Sequence, residues 1–167
     1  MATNNAANTY TTPYVDGEVN FPGQCSFMAY LSSTASNVTG NSVGYTLIAD
    51  TELWDIGSNY NNASGVFTAP QTAVYNFVGG VTCAGITASH TIQLIAFSGG
   101  SISQYILDSG INTRDANNQL TVSGSITASL TAGDMVQISV NFLSGTQVVD
   151  VVGGSTVYSY FGGRLVE

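Results

Sequence analysis

Apolar and polar residues along this chain alternate with a period of two, and the alternation is interrupted at short intervals by glycine, asparagine and serine. Val136, Ile138, Val140 and Phe142 alternate with Gln137, Ser139 and Asn141. Ser125 to Thr131 reads S-I-T-A-S-L-T, with Ile126, Ala128 and Leu130 on one side, and Ala73, Tyr75, Phe77 and Val81 share a face. This period predicts half-buried strands, one side in a core and the other outside. No sustained 3.6-residue apolar period predicts a helix. Gly65, Gly99-Gly100, Gly133-Asp134 and Gly153-Gly154 fall between strand candidates, where turns are expected, and Pro70 ends a strand because it cannot donate to a ladder. About ten strand candidates lie between Ser26 and Val166. A chain of that kind limits its free edges by folding as a sandwich or jelly roll.

Residues 1–24 follow a different pattern. They are rich in Asn, Thr, Ala and Pro, and Tyr10 and Tyr14 are their main aromatics. We read them as an extended N-terminal arm or linker before a jelly-roll domain at 25–167. Tyr10, Pro13 and Tyr14 are the candidates for docking that arm onto a neighbouring subunit or a parent structure, since disordered tails are poor in aromatics.

Composition narrows the function. Of 167 residues 44% are hydrophobic and only 7% charged, there is no lysine, and the net charge is −8. Arg114 and Arg164 are the only basic side chains apart from one histidine. A phosphate backbone is held by several cations, so nucleic-acid binding is excluded as an expectation, and so is adhesion to anionic lipid through basic residues. No apolar run approaches the ~20 residues that span a bilayer, and the first residues carry no secretory leader pattern. The low charge density favours close contact with other protein surfaces.

Catalytic signals are weak. His90 stands in a strand-like S-H-T-I-Q-L context without a nucleophile elbow, and we expect a strand residue with its ring partly in water. One histidine and two distant cysteines do not make a transition-metal site. Asp50, Glu52 and Asp55 form a local acidic cluster with oxygen ligands of the type calcium takes, although the spacing of a dedicated calcium loop is missing. Cys25 and Cys83 form a disulfide if both face the same gap, and otherwise are two buried thiols. Trp54 packs semi-buried or stacks on a sugar. Asn37-Val-Thr39 and Asn62-Ala-Ser64 match the glycosylation acceptor pattern in a chain rich in these residues.

The run from Ala49 to Val81 has a recognisable shape: Asp50, Gly57 and Tyr60, then Gly65-x-Phe67, Pro70, Tyr75-x-Phe77 and Val81. Before it stands Phe27-Met28-Ala29. After it come Gly124-Ser125, Gly133-Asp134 with Val136, and Phe161-Gly162-Gly163-Arg164-Leu165. In this order the pieces resemble the globular head of complement component 1q, within the tumour necrosis factor-like jelly-roll superfamily, over residues 26–166. The resemblance implies an all-β, ten-strand jelly-roll sandwich and a compact homotrimer. In that trimer Tyr60, Tyr75 and Phe161 are the expected interface candidates. Ala73 stands where the family has glycine, and residues 98–118 match nothing and are read as an outward loop, so a ligand site is not carried over.

The function expected from this combination is structural or adhesive and not enzymatic. The leading reading is a trimeric bacteriophage virion component on the particle surface: a capsid decoration, a fibre head or a receptor-binding module, anchored to other virion proteins through residues 1–24. The second is a secreted or cell-surface filament subunit of a prokaryote, whose arm exchanges a strand with its neighbour. The third is a soluble extracellular module that binds a glycan or a protein receptor. No cofactor is expected beyond the calcium candidate.

Overall fold

The computed structural model describes residues 24–91, 93–99, 102–108 and 114–166. Within them the chain forms thirteen strands and no helix. They are β1 (Ser26–Tyr30), β2 (Ala35–Thr39), β3 (Gly44–Thr46), β4 (Thr51–Ile56), β5 (Tyr60–Asn61), β6 (Val66–Thr68) and β7 (Ala73–Ala84). The second half supplies β8 (Gln93–Gly99), β9 (Ile102–Asp108), β10 (Leu120–Leu130), β11 (Met135–Phe142), β12 (Val149–Val151) and β13 (Tyr160–Leu165). Several of these, such as β3 and β5, are only two or three residues long, which accounts for most of the excess over the ten strands expected.

The strands form two antiparallel sheets packed as a jelly-roll sandwich. In the seven-stranded sheet, β4, β1, β13 and β7 lie side by side, and β10 pairs with the opposite edge of β7. β12 and β2 extend this sheet from the end of β7. In the six-stranded sheet the order is β5-β6-β11-β8-β9, with β3 also on β11. The alternation read from the sequence sets which side faces inward. Val136, Ile138, Val140 and Phe142 of β11 are fully buried, as are Tyr75, Phe77 and Val81 of β7. The Gly133-Asp134 turn joins β10 to β11, closed by Asp134 N–H donating to Thr131 O and by the Asp134 carboxylate accepting from Thr131 N–H.

Between the sheets lies a cluster of rings. Phe27 stacks on Tyr60 and Phe67, with centroids 4.7 and 5.2 Å apart, and meets Phe161 edge-on at 5.0 Å. Phe77 joins Phe67 and Phe161 at 5.3 and 6.0 Å. Rings that large fit side by side on one sheet face only where their cross-strand neighbours are small. The register shows this: Phe27 and Phe77 flank Gly163, and Phe161 sits opposite Gly79. A Cβ on Gly163 would stand 2.6 Å from Phe77 and 2.8 Å from Phe27. Each buried ring contributes roughly 1.5–3 kcal/mol through area removed from water, so the glycines on this face are positions where volume is already taken by a neighbour.

The stretch 98–118, read as a loop, is corrected in part. Ile102–Asp108 is β9, paired with β8 from Gly99↔Ile102 to Gln93↔Asp108. Its end at Arg114–Gln119 is a turn, where the Asp115 carboxylate accepts from the N–H groups of Asn117 and Gln119.

Candidate functional site

Strand geometry sends every second residue of the seven-stranded sheet away from the core, and those residues build the candidate site. Met28, Tyr30, Val78, Tyr160 and Arg164 point outward, because Phe27, Ala29, Phe77 and Phe161 point in. Trp54, opposite Met28 in the register, and Ile56, opposite Ser26, extend the face across β4. Trp54 is 47% and Ile56 51% exposed. On the other flank β10 presents Thr121, Ser123, Ser125, Thr127 and Ser129, all exposed.

Two glycines flatten this face. The Tyr160 ring lies over Gly80, where a Cβ would come within 2.7 Å of it. Met28 lies over Gly162 in the same way, its sulfur 2.9 Å from where a Cβ would be. The result is a shallow groove of about 450 Å³, floored by Met28, Trp54 and Val78 and bordered by Asn76 and Arg164. Asn76 is held in place, its Nδ2 donating to Ile126 O and Thr127 Oγ1 at 3.1 Å each. Arg164 is the only charged residue in β1, β7, β10 and β13, so the middle of the face is nearly neutral in a chain of net charge −8. A sheet face so poor in charge is suited to burial against protein, because only Arg164 has to be matched across the contact.

The acids are used elsewhere. Asp50 accepts from Ser32 N–H at 2.8 Å and Ser32 Oγ at 2.7 Å. Asp55 accepts from the N–H groups of Asn59 and Tyr60. Asp150 accepts from Asn37 N–H at 2.7 Å, and Asp115 and Asp134 hold the two turns already described. Five aspartates thus fasten backbone N–H groups in turns and at strand ends, each a hydrogen bond to a charged group and therefore stronger than a neutral one. Burial opposes the charge on Asp50, but the bonds from Ser32 and Thr51 outweigh it and hold its carboxyl below the ordinary value.

The sequence candidates fall as follows. Asp50, Glu52 and Asp55 do not converge: the first and third carboxylates are committed to separate backbone sites and Glu52 is exposed on β4. Among the described residues no group of three or more His, Cys, Asp or Glu stands together. Tyr60, Tyr75 and Phe161, the interface candidates, are all buried inside the single subunit. The Tyr60 hydroxyl donates to Ala49 O at 3.0 Å and the Tyr75 hydroxyl to Gln71 O at 2.7 Å, so neither polar end needs an outside partner. Burial pushes the Tyr60 hydroxyl pKa far up. Tyr10, Pro13 and Tyr14 lie outside the described residues.

His90 is neither in a strand nor in water. It is fully buried, accepts the Thr87 N–H on Nδ1 at 3.0 Å and donates from Nε2 to Thr146 O at 2.9 Å, with its ring edge-on to Phe142. It ties the segment before β8 to the segment after β11. Cys25 and Cys83 are free buried thiols, and burial pushes both up, Cys83 furthest.

The sequence expectations did not include Met28, Val78, Tyr160 or Arg164. Their signal was their place between residues of the recognised motifs: Met28 between Phe27 and Ala29, Val78 after Phe77, Arg164 between Gly163 and Leu165.

Comparison with known proteins fits this geometry. The family model of the C1q domain matches residues 26–166. Among solved structures, the globular domain of zebrafish complement 1qA is 19% identical, with a TM-score of 0.55, covering 86% of this chain and 96% of that one. Murine APRIL is 12% identical with a TM-score of 0.55, over 86% and 99%. Eiger TNF of S. frugiperda is 12% identical with a TM-score of 0.56, over 86% and 93%. No curated protein sequence matches the chain.

Proposed function

The chain belongs to the C1q domain family, and on that premise we propose that it is a non-enzymatic binding module that works as a homotrimer. The observation that carries this reading is the outer face of the seven-stranded sheet. It is flattened by Gly80 and Gly162, floored by Met28, Trp54 and Val78, and over β1, β7, β10 and β13 it carries a single charge, Arg164. Three copies packing this face about an axis would bury the groove and the rings of Tyr30 and Tyr160. A stable contact of this kind covers about 1,200–2,000 Å², which one side of a seven-stranded sheet can supply.

Loops at the ends of the sandwich then face outward as binding surface, as is usual for loops on a rigid β-scaffold. Chemistry is not asked of them: the one histidine is spent on holding two segments together, and five aspartates on fastening backbone N–H groups.

The setting we propose is the surface of a bacteriophage particle, as a capsid decoration, fibre head or receptor-binding module, with residues 1–24 as an anchoring arm. It is supported by a surface poor in charge, without lysine, and rich in Asn, Ser, Thr and Gly. The test has two parts. The mass in solution should be that of a trimer, and Val78→Glu on the outer face should break it without unfolding the subunit. Purified particles should then contain the protein on their outside, accessible to antibody; its absence from them would remove the virion setting and leave the trimeric module.

A further inference from the structure

The seven-stranded sheet ends on β4, which pairs with β1 on one side and, among the described residues, with no strand on the other. Three of its six residues are large apolar side chains in water: Leu53, Trp54 and Ile56, at 54, 47 and 51% exposure. Free edges are normally blunted by charged side chains, above all lysine, by proline, by bulges or by extreme shortness. β4 has neither lysine nor proline, and of its two acids Asp55 is bonded to the N–H groups of Asn59 and Tyr60, which leaves Glu52 and a shift in its register with β1 as its guards. An unpaired edge with this much exposed apolar surface is a template for an added strand.

The residues before Gln24 cannot pair beside the strand they lead into, because both edges of β1 are occupied, by β4 and by β13. Residues 1–15 carry no charged side chain, which suits them to an edge already bearing Glu52. Ala6 to Thr12 reads A-A-N-T-Y-T-T. Its threonines and tyrosine favour extended pairing, and Pro13 ends the stretch because it has no N–H to give. Seven residues match the six of β4. The intervening residues 13–23 reach about 35–40 Å when extended, enough to leave one subunit for another. Within one subunit, the same strand would have to be joined to β1 across the intervening β4.

We propose that residues 6–12 of one copy add as a strand to the free edge of β4 in another copy, setting Tyr10 beside Trp54. The exchange is head-to-tail: each copy gives an arm and receives one. It closes within a trimer or links trimers, according to geometry. It rests on the reading of residues 1–24 as an arm and names what that arm binds.

The experiment uses full-length chains. One carries Tyr10→Cys and a differently tagged one carries Trp54→Cys; the native thiols are buried and give little background. After mixing and mild oxidation, a disulfide between positions 10 and 54 of differently tagged chains is expected. It should fall at least tenfold when the first chain also carries Thr11→Pro, which removes a ladder donor. In hydrogen exchange, β4 amides should exchange at least tenfold faster in Thr11→Pro than in the unsubstituted protein, with β7 unchanged. Equal β4 exchange in the two proteins, or a link that forms only when Tyr10→Cys and Trp54→Cys are placed on one chain, overturns the strand exchange. Slow exchange throughout residues 1–24 in both proteins would instead remove the arm itself, and the trimer mass is read separately.

Discussion

Gly163 lies directly opposite Phe77 on the inner face of the seven-stranded sheet, so close that a Cβ at position 163 would stand 2.6 Å from the ring. The same Cβ would meet Phe27 at 2.8 Å on the other side. The missing side chain is therefore a packing requirement, and it explains why glycine holds this place in the closing strand between Phe161 and Leu165.

Gly163→Ala should destabilise the fold by about 1–3 kcal/mol, the range for forcing extra volume into a packed core. Gly44→Ala is the control: nothing lies within 4 Å of a Cβ there, and its effect should stay within about 0.5 kcal/mol. Urea unfolding followed by tryptophan fluorescence compares the two.

His90→Phe keeps a ring against Phe142 but removes the partner of the Thr87 N–H and the Thr146 carbonyl, two part-buried hydrogen bonds. A typical hydrogen bond contributes about 0.5–1.5 kcal/mol net, so losing the two should cost roughly 1–3 kcal/mol in total. Equal stability of the variant and the parent would show that His90 is not a clamp.

The Asp50 carboxyl is held below its ordinary value of 3.8 by the bonds from Ser32 and Thr51. A depressed carboxyl contributes stability that is present at neutral pH and is lost as pH falls through the folded value. The stability difference between the parent and Asp50→Asn should therefore be constant from pH 7 to about pH 5. It should shrink below pH 3.8. A difference that grows on acidification would contradict the assignment.

Cys25 and Cys83 should resist thiol reagents in the folded protein, since both are buried and burial raises both. Only the thiolate reacts readily. Titration at pH 8 with an aromatic disulfide reagent should find no fast thiol before denaturant is added and two afterwards.

The strands with strict alternation were legible in the sequence. In β11 and β7 the apolar positions recur every second residue, and the structure buries those positions. β9 was not legible, because the apolar residues of I-S-Q-Y-I-L-D are contiguous at its end and do not alternate, so the period that marks a half-buried strand is absent. The burial of the interface candidates was not legible for a different reason. Period-two patterning shows that Tyr60, Tyr75 and Phe161 share faces with other rings, but not that Ala49 and Gln71 carbonyls receive the tyrosine hydroxyls inside the subunit. The outer face was hidden in turn because Met28, Val78 and Arg164 sit between motif residues and follow no motif of their own. Its flatness comes from Gly80 and Gly162 meeting side chains on adjacent strands, a relation that only the register reveals.

The central claim, a trimer packed through the outer face of the seven-stranded sheet, is tested most directly by absolute mass from light scattering behind a sizing column, for the full chain and for Val78→Glu. The account expects three times the 17.3 kDa chain for the parent and the single-chain mass for the variant, with the same far-ultraviolet circular dichroism in both. A parent that runs at 17.3 kDa, or a Val78→Glu protein that remains trimeric, would contradict it.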